Sequence, residues 1–324
     1  MSDDRTENNS PLVSVVLPTY GRPAFLPEAI ESVVSQTYDR IELVIVDDGS
    51  PDPIAPIVRD TNTEDLKLEI IRHETNRGAS AARNTGIQRS TGELVAFLDD
   101  DDIWQDTKIE QQVRFFFRSS NRLGVVYTGQ EYIDQEGRTT NVRTPTTSGD
   151  VTRALLTGDP VNPFSCVMVR TTVIRDAGTP DERLPSWQDW EWYLRLSRHC
   201  TFGAIPDPIV VRRVGHDQIG SDHETKRDIS YPVIIEKHRS LAADLDCEAQ
   251  FLAHLSRMLA ISALHNQRYL EANRHVIQAI GHDPTHLRGW QILLTALGGP
   301  LTYGLFRRSR HLFNRLRNRG VLFS

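Results

Sequence analysis

The chain has 324 residues, 39% of them hydrophobic and 25% charged, with a net charge of −6, which leaves room for one large domain with a full core and a smaller one. No apolar run approaches the length of a membrane-spanning helix, and the polar stretch 1–10 does not read as a signal peptide, so a cytoplasmic protein is expected rather than an integral membrane or secreted one. Three widely spaced cysteines, Cys166, Cys200 and Cys247, exclude a disulfide framework and fit a reducing compartment.

From residue 11, β-branched apolar runs alternate with amphipathic segments. Leu12–Leu17 reads as a first strand ended by Pro18, and Pro23–Gln36 as a helix with proline at its start. Ile41–Val46 predicts a second strand, Leu66–Ile71 a third, Gly78–Arg89 a helix of small residues, and Leu94–Leu98 a fourth strand. This β-α-β-α order implies a mostly parallel sheet with helices on both faces. Lys108–Arg118 reads as a helix, followed by strands around Gly124–Tyr132 and a hairpin turn at Asp134–Gly137. Val167–Val169 and Phe202–Val211 predict further strands, and Trp187–His199 between them has helical spacing. From about Glu224 the strands stop. Ile229–Leu245, Ala249–Asn266, Tyr269–Ile280 and His286–Leu297 read as helices of an appendage, with the pair around Asp283-Pro284 forming one helix-turn-helix unit.

Charge is unevenly placed along this plan. After Asp283 there are seven arginines and no acid, leaving about −13 on the rest. In the tail, Leu305, Leu312 and Leu316 share a helical stripe flanked by Phe306 and Phe313, with arginines on the other face. That pattern fits either a helix lying on an anionic membrane surface or one packed on the body with its arginines in solvent. The organisation expected is a polar N-terminus at 1–10, an α/β domain at 11–220, a helical appendage at 221–300 and a basic tail at 301–324.

Three segments leave strands at one edge of the predicted sheet: Pro18-Thr19-Tyr20-Gly21-Arg22, Asp47-Asp48-Gly49-Ser50 and Asp99-Asp100-Asp101-Asp102. Parallel strands bring their carboxyl ends together, where open α/β sheets bind ligands. Proline and tyrosine can flank a flat base, and an aspartate can accept from a base N–H or a ribose hydroxyl. Oxygen-only ligands suit Mg²⁺ or Mn²⁺. An EF-hand is excluded, because Ile103 and Trp104 replace its third ligand and its turn glycine. Ser186-x-x-Asp189 is a capping-box pattern before Trp190, and an aspartate at a helix N-terminus stays ionised and able to accept a proton.

These segments, with Asn76-Arg77-Gly78-Ala79-Ser80-Ala81-Ala82-Arg83-Asn84, resemble the family-2 glycosyltransferases of the GT-A fold over roughly residues 11 to 215. The resemblance implies a Rossmann-like, mostly parallel sheet, a nucleotide-diphospho-sugar donor and a divalent metal, Mn²⁺ or Mg²⁺. In the family's pattern Asp99 faces the donor's ribose and Asp101 ligates the metal, with Asp100 at the variable position. Asp48, with Asp47 beside it, contacts the base, Arg83 lies near the nucleotide, and Pro18, Thr19, Tyr20 and Arg22 line the donor site. Asp189 holds the position of the catalytic base, although Gln188 replaces the usual first acid of that pair. His216 holds the position of a histidine that approaches the metal or the diphosphate.

The reading that follows is an inverting, metal-dependent transferase moving one sugar, UDP-linked by family frequency, to a hydroxyl of a glycan or lipid-linked saccharide. It would be cytoplasmic, on the membrane's cytoplasmic face if the tail binds there, and would have no nucleic-acid partner. A polyprenyl-phosphate sugar synthase is the near alternative. A nucleotidyltransferase lacks support because Pro18–Arg22 has no run of glycines, and a non-catalytic binding module sits poorly with the retention of Asp99, Asp101 and Asp189.

Overall fold

The structure, a computed structural model, describes residues 10–61, 63, 66–119, 122–214 and 222–299. His216 and the tail at 301–324 lie outside the described residues. In chain order the elements begin with β1 (Val13–Thr19), α1 (Leu26–Val34), β2 (Ile41–Asp47), α2 (Ala55–Arg59), β3 (Lys67–Arg72) and α3 (Ala79–Arg89). They continue with β4 (Leu94–Phe97), β5 (Asp102–Trp104), α4 (Lys108–Phe117), β6 (Leu123–Thr128), β7 (Gln130–Ile133), β8 (Thr139–Arg143) and α5 (Thr152–Thr157). Next come β9 (Val167–Arg170), α6 (Thr171–Ala177), α7 (Gln188–Ser197), β10 (Thr201–Ile205) and β11 (Val210–Arg213). Helices α8 (His223–Thr225), α9 (Tyr231–Asp244), α10 (Glu248–His265), α11 (Tyr269–His282) and α12 (Leu287–Leu297) close the chain as described. None of the helices described is long and apolar enough to cross a membrane.

The chain divides into two compact units. The first contains every strand among the described residues. Its seven-stranded sheet runs β10-β6-β9-β4-β1-β2-β3, with β9 antiparallel to both neighbours and the other pairs parallel. β1, β2 and β4 are buried along their whole length, as strands covered on both faces must be, and their continuous apolar runs are the sequence trace of that burial. β3, at the sheet edge, is only half-buried. The parallel order β4-β1-β2 puts the Pro18–Arg22, Asp47–Ser50 and acidic segments on one edge, as expected.

Pro18 does not end the first strand. It pairs in register with Val46, while the β4 ladder on the other side stops at Val16, so its missing N–H is tolerated where one flank is unpaired. The first helix likewise begins later than Pro23: residues 23–25 form a turn, and Pro27 is the proline of the first helical turn. The run Phe202–Val211 is two strands, broken at Pro206-Asp207-Pro208. β10 joins the large sheet, whereas β11 joins a second sheet of order β5-β11-β7-β8. That sheet follows directly on the acidic run, because β5 starts at Asp102 and sets it opposite Arg212 of β11.

Two features brace the sheet at its other end and its flank. Glu42 of β2 is buried and accepts from Ser14 Oγ (2.5 Å), Lys67 Nζ (2.6 Å) and the backbone N and Oγ1 of Thr91 (2.5 and 2.7 Å). Burial opposes ionisation here, but these donors outweigh it and hold the Glu42 pKa at about 2. A carboxylate lowered in the folded state contributes stability above its unfolded pKa and loses it as pH falls toward the folded value. Glu42 should therefore supply on the order of 3 kcal/mol at neutral pH, lost between about pH 4.5 and 2. Urea unfolding across that range should show a steep loss in the parent chain and a shallower one in Glu42→Gln. On the flank, Trp192 of α7 packs edge-on against Phe97 of β4 (5.5 Å) and beside Phe164 (5.7 Å), and its Nε1 donates to the Gly178 carbonyl (2.8 Å). Arg195 pairs with buried Glu191 (3.0 Å) and donates to the carbonyls of Ala177 and Thr179. These contacts fix α7, and with it the acid in its first turn.

The second unit is helical and includes α5 and α8–α12. Its core is built from Ala260, Ala263 and Leu264 of α10, Ala272 and Val276 of α11, and Ile292 and Ala296 of α12. Small residues at the contacts let these helices approach closely. The observed α9–α12 match the four expected helices to within a few residues at each end.

Candidate active site

The loop after β1 carries three groups of different exposure. Thr19 is buried and donates from Oγ1 to Asp100 Oδ2 (2.7 Å), while the Tyr20 ring is 41% exposed. Arg22 reaches across to the acidic run, with Nη1 at 3.1 Å from Asp100 Oδ1 and 2.5 Å from Asp101 Oδ2. Gly21 donates its N–H to Ser50 Oγ (3.0 Å), which joins this loop to the one after β2.

Asp47 and Asp48 are both buried. Asp47 accepts from Ser50 N (2.8 Å), closing an Asx turn, and pairs with Arg72 (2.5 Å). Asp48 lies 2.7 Å from His73 Nδ1 and accepts from the N–H groups of Arg77 (2.9 Å) and Gly78 (2.8 Å), which lead into α3. It therefore fixes the turn that leads into α3. His73 Nε2 in turn meets Thr85 Oγ1 (2.9 Å). Gly49, directly after these acids, has φ +76°, and a Cβ there would stand 2.8 Å from the Thr75 carbonyl carbon. Gly49→Ala should destabilise the protein by about 2 kcal/mol or more, read as a lower urea midpoint.

The acidic run divides by environment. Asp99 donates its N–H to Ser165 Oγ (3.1 Å), and its carboxylate pairs with Arg83, whose guanidinium lies over the Phe164 ring (4.1 Å). Asp100 is buried under Thr19 and Arg22. Burial lifts its pKa to about 6, against the pull of Thr19 and Arg22. Asp101 shares Arg22, and its carbonyl accepts from Arg213 Nη1 (3.1 Å). Asp102 is fully buried; its Oδ2 accepts from Ser165 Oγ (2.6 Å), and its Oδ1 has no hydrogen-bond partner among the described residues. Burial pushes the Asp102 pKa up, and the charge of Arg212 opposes that rise.

Carboxylate oxygens of Asp99, Asp101 and Asp102 lie within 4.8 Å of one another. Three hard oxygen ligands this close, one carrying an unpartnered buried oxygen, fit a divalent cation such as Mg²⁺ or Mn²⁺. Asp189, in the first turn of α7, accepts from Trp190 N (2.8 Å). Burial raises its pKa, while Arg83 and Arg212 pull it down and Asp99 pushes it up. Asp189 thus belongs to the same field of charges as the acidic run.

The structure brings Pro18, Thr19, Tyr20, Arg22, Asp47, Asp48, Arg83, Asp99, Asp100, Asp101 and Asp189 to this edge of the first unit. Asp47, Asp48 and Asp100 spend their carboxylates on the protein's own donors. Ser165, Arg212, Arg213 and His73 escape sequence reading. His73 follows β3, a fourth parallel strand end on the same edge, and could have been found there. Arg212 needed the β11–β5 register.

Comparison with known proteins gives a consistent result. A family model described as glycosyl transferase family 2 matches residues 14–178. An uncharacterised glycosyltransferase of Rickettsia felis is 30% identical over 220 residues, covering 65% of this chain and 35% of that protein. A putative teichuronic acid biosynthesis glycosyltransferase, TuaG of Bacillus subtilis, is 35% identical over 130 residues, 40% of this chain and 51% of that protein. The chain thus spans between a third and about half the length of these curated relatives. Among solved structures, residues 1–349 of S. aureus TarS in complex with UDP superpose with a TM-score of 0.62 at 20% identity, covering 95% of this chain and 92% of that one. The mannosyltransferase PcManGT of Pyrobaculum calidifontis, in complex with GDP-Man and Mn²⁺, gives 0.58 at 17%, covering 97% and 88%.

Proposed function

Because this chain belongs to glycosyl transferase family 2, we propose that it is an inverting, metal-dependent glycosyltransferase that moves one sugar from a nucleotide-diphospho-sugar to an acceptor hydroxyl. The observation that carries this reading is the convergence of Asp99, Asp101 and Asp102 at the carboxyl edge of the sheet, with Asp189 in the same field of charges. The donor is taken to be UDP-linked, on the strength of the likeness to TarS, a protein whose structures contain UDP and UDP-GlcNAc. The acceptor is a glycan or lipid-linked saccharide, a reading supported by the likeness to TuaG.

Asp101 would hold the cation, with oxygens of Asp99 and Asp102 turned to the same point. A bound Mn²⁺ or Mg²⁺ supplies positive charge to the diphosphate leaving group. Ser165 holds the Asp99 backbone and the Asp102 carboxylate with one hydroxyl, so it sets the spacing of the ligands. The exposed Tyr20 ring offers a stacking face for the base. Asp189 takes the proton of the acceptor hydroxyl, whose oxygen forms a bond to the anomeric carbon as the bond to the diphosphate breaks on the opposite face. One base and no covalent intermediate invert the anomeric centre.

The test is a thermal-shift screen of UDP- and GDP-sugars with and without Mn²⁺, followed by release of nucleoside diphosphate. A donor that raises Tm only with Mn²⁺ is the expected result. Failure of every nucleotide sugar to raise Tm or to be consumed would overturn the reading.

A further inference from the structure

Helix α12 is apolar on two opposite sides. Gly289, Ile292, Thr295 and Ala296 are buried, Ile292 and Ala296 in the core shared with α10 and α11. On the other side, Leu287, Trp290, Leu294 and Leu297 recur at spacings of three and four, and they are 76%, 46%, 70% and 66% exposed. A stripe of this spacing runs the length of the helix along one face. Single exposed leucines are ordinary, but a continuous helical row of three leucines and a tryptophan marks a surface made to be covered. Leu270 and Ile277 of the neighbouring α11 are also exposed, at 87% and 59%.

We propose that this face of α12 docks on an anionic phospholipid bilayer, with the helix lying along the membrane surface. Charge selects this occupant. From Pro284 onward the sequence has seven arginines and no acid, against about −13 on the rest of the chain. A second copy placed on the stripe would bring two such basic segments together, and a purely apolar partner would leave the arginines unused. An anionic bilayer takes both, burying the leucines among acyl chains and drawing the arginines to its headgroups. Trp290, with an apolar ring and one N–H, is the residue type that settles at that boundary. Arg274 of α11, between the exposed Leu270 and Ile277 in helical spacing, is itself exposed and can reach headgroups. This surface lies wholly within the helical unit, and the reading is independent of the reaction proposed above.

The experiment is co-sedimentation of the full chain with vesicles of phosphatidylcholine alone and with phosphatidylglycerol added. Binding is expected only to the anionic vesicles and should weaken as salt is raised. The double substitution Leu287→Glu and Leu294→Glu should lower the vesicle partition constant by about tenfold or more, with Tm unchanged because both side chains are already exposed. A second measurement does not depend on that variant. Quenching by brominated lipid should be stronger in the parent chain than in Trp290→Phe. Undiminished binding of the double variant, equal quenching of the two proteins, or no binding to anionic vesicles would overturn the proposal. So would a dimer in light scattering that the double substitution abolishes.

Discussion

Asp189→Asn is expected to lower kcat/KM for sugar transfer by about 10²- to 10⁴-fold, the usual worth of a positioned general base. Asparagine matches aspartate in shape, and its carbonyl can still accept the Trp190 N–H, so the first turn of α7 should survive. What it cannot do is take a proton. Donor binding should therefore remain near the parent level while turnover collapses. The stability sign is also defined. Burial raises the Asp189 pKa, so its ionisation is less favourable in the folded state than in the unfolded chain. Removing the charge should leave Tm equal or higher, the pattern of a group kept for function at a cost in stability. The same shift places the acid limb of the parent rate profile above the ordinary carboxylate range, with activity present above that pKa and falling as pH drops through it. Initial rates against pH, with circular dichroism on the variant, check all three statements. A variant within a few-fold of the parent would remove Asp189 from the mechanism.

Asp101→Asn should abolish the Mn²⁺-dependent part of donor binding and lower transfer by about 10²- to 10³-fold, the scale found when one group stabilising transition-state charge is deleted. The substitution also removes the partner of Arg22 at 2.5 Å, but Arg22 keeps Asp100 at 3.1 Å, and both side chains of the lost pair retain some solvent contact. The stability loss should accordingly be small, about 1 kcal/mol or less. Titration calorimetry with Mn²⁺ alone and with donor present separates a lost cation site from a lost fold. Unaltered Mn²⁺ dependence in this variant would shift the ligand assignment to Asp99 and Asp102.

Much of this arrangement is legible in the sequence because it rests on periodicity and chain order. β1, β2 and β4 declare themselves as unbroken apolar runs, and parallel order alone sends their carboxyl ends to one edge. Helix α7 reads from its spacing, which puts Asp189 one turn from Trp192 on the side that packs against Phe97. What escapes depends on long-range register. β5 is three residues long and abuts the acids. β11 hides behind two prolines in a run that reads as one strand. Without their pairing, Arg212 is only a basic residue before a loop, rather than the cation opposite Asp102. The protein partners of Asp47, Asp48 and Asp100 were hidden for another reason. A carboxylate at a strand end looks the same in sequence whether it faces a ligand, an Asx turn or the amides of the turn before a helix. The Asp47-x-x-Ser50 spacing was the available signal for the turn. For Asp48 one partner, His73, lies at the end of the neighbouring strand, 25 residues on in the chain.

The Arg22–Asp101 pair would make cation uptake at the proposed site an exchange rather than an addition. As folded, Asp101 already has a positive neighbour, and an incoming ion must take its place. Arg22, turned from Asp101 but still beside Asp100, would offer its guanidinium to phosphate in a bidentate grip. A donor that holds Arg22 away from Asp101 strengthens the cation site, and by reciprocity the cation strengthens the donor site to the same degree. The two ligands should bind with positive cooperativity through one side chain, and Arg22→Lys, which keeps the charge but not the fork, should loosen that coupling more than it weakens either ligand alone.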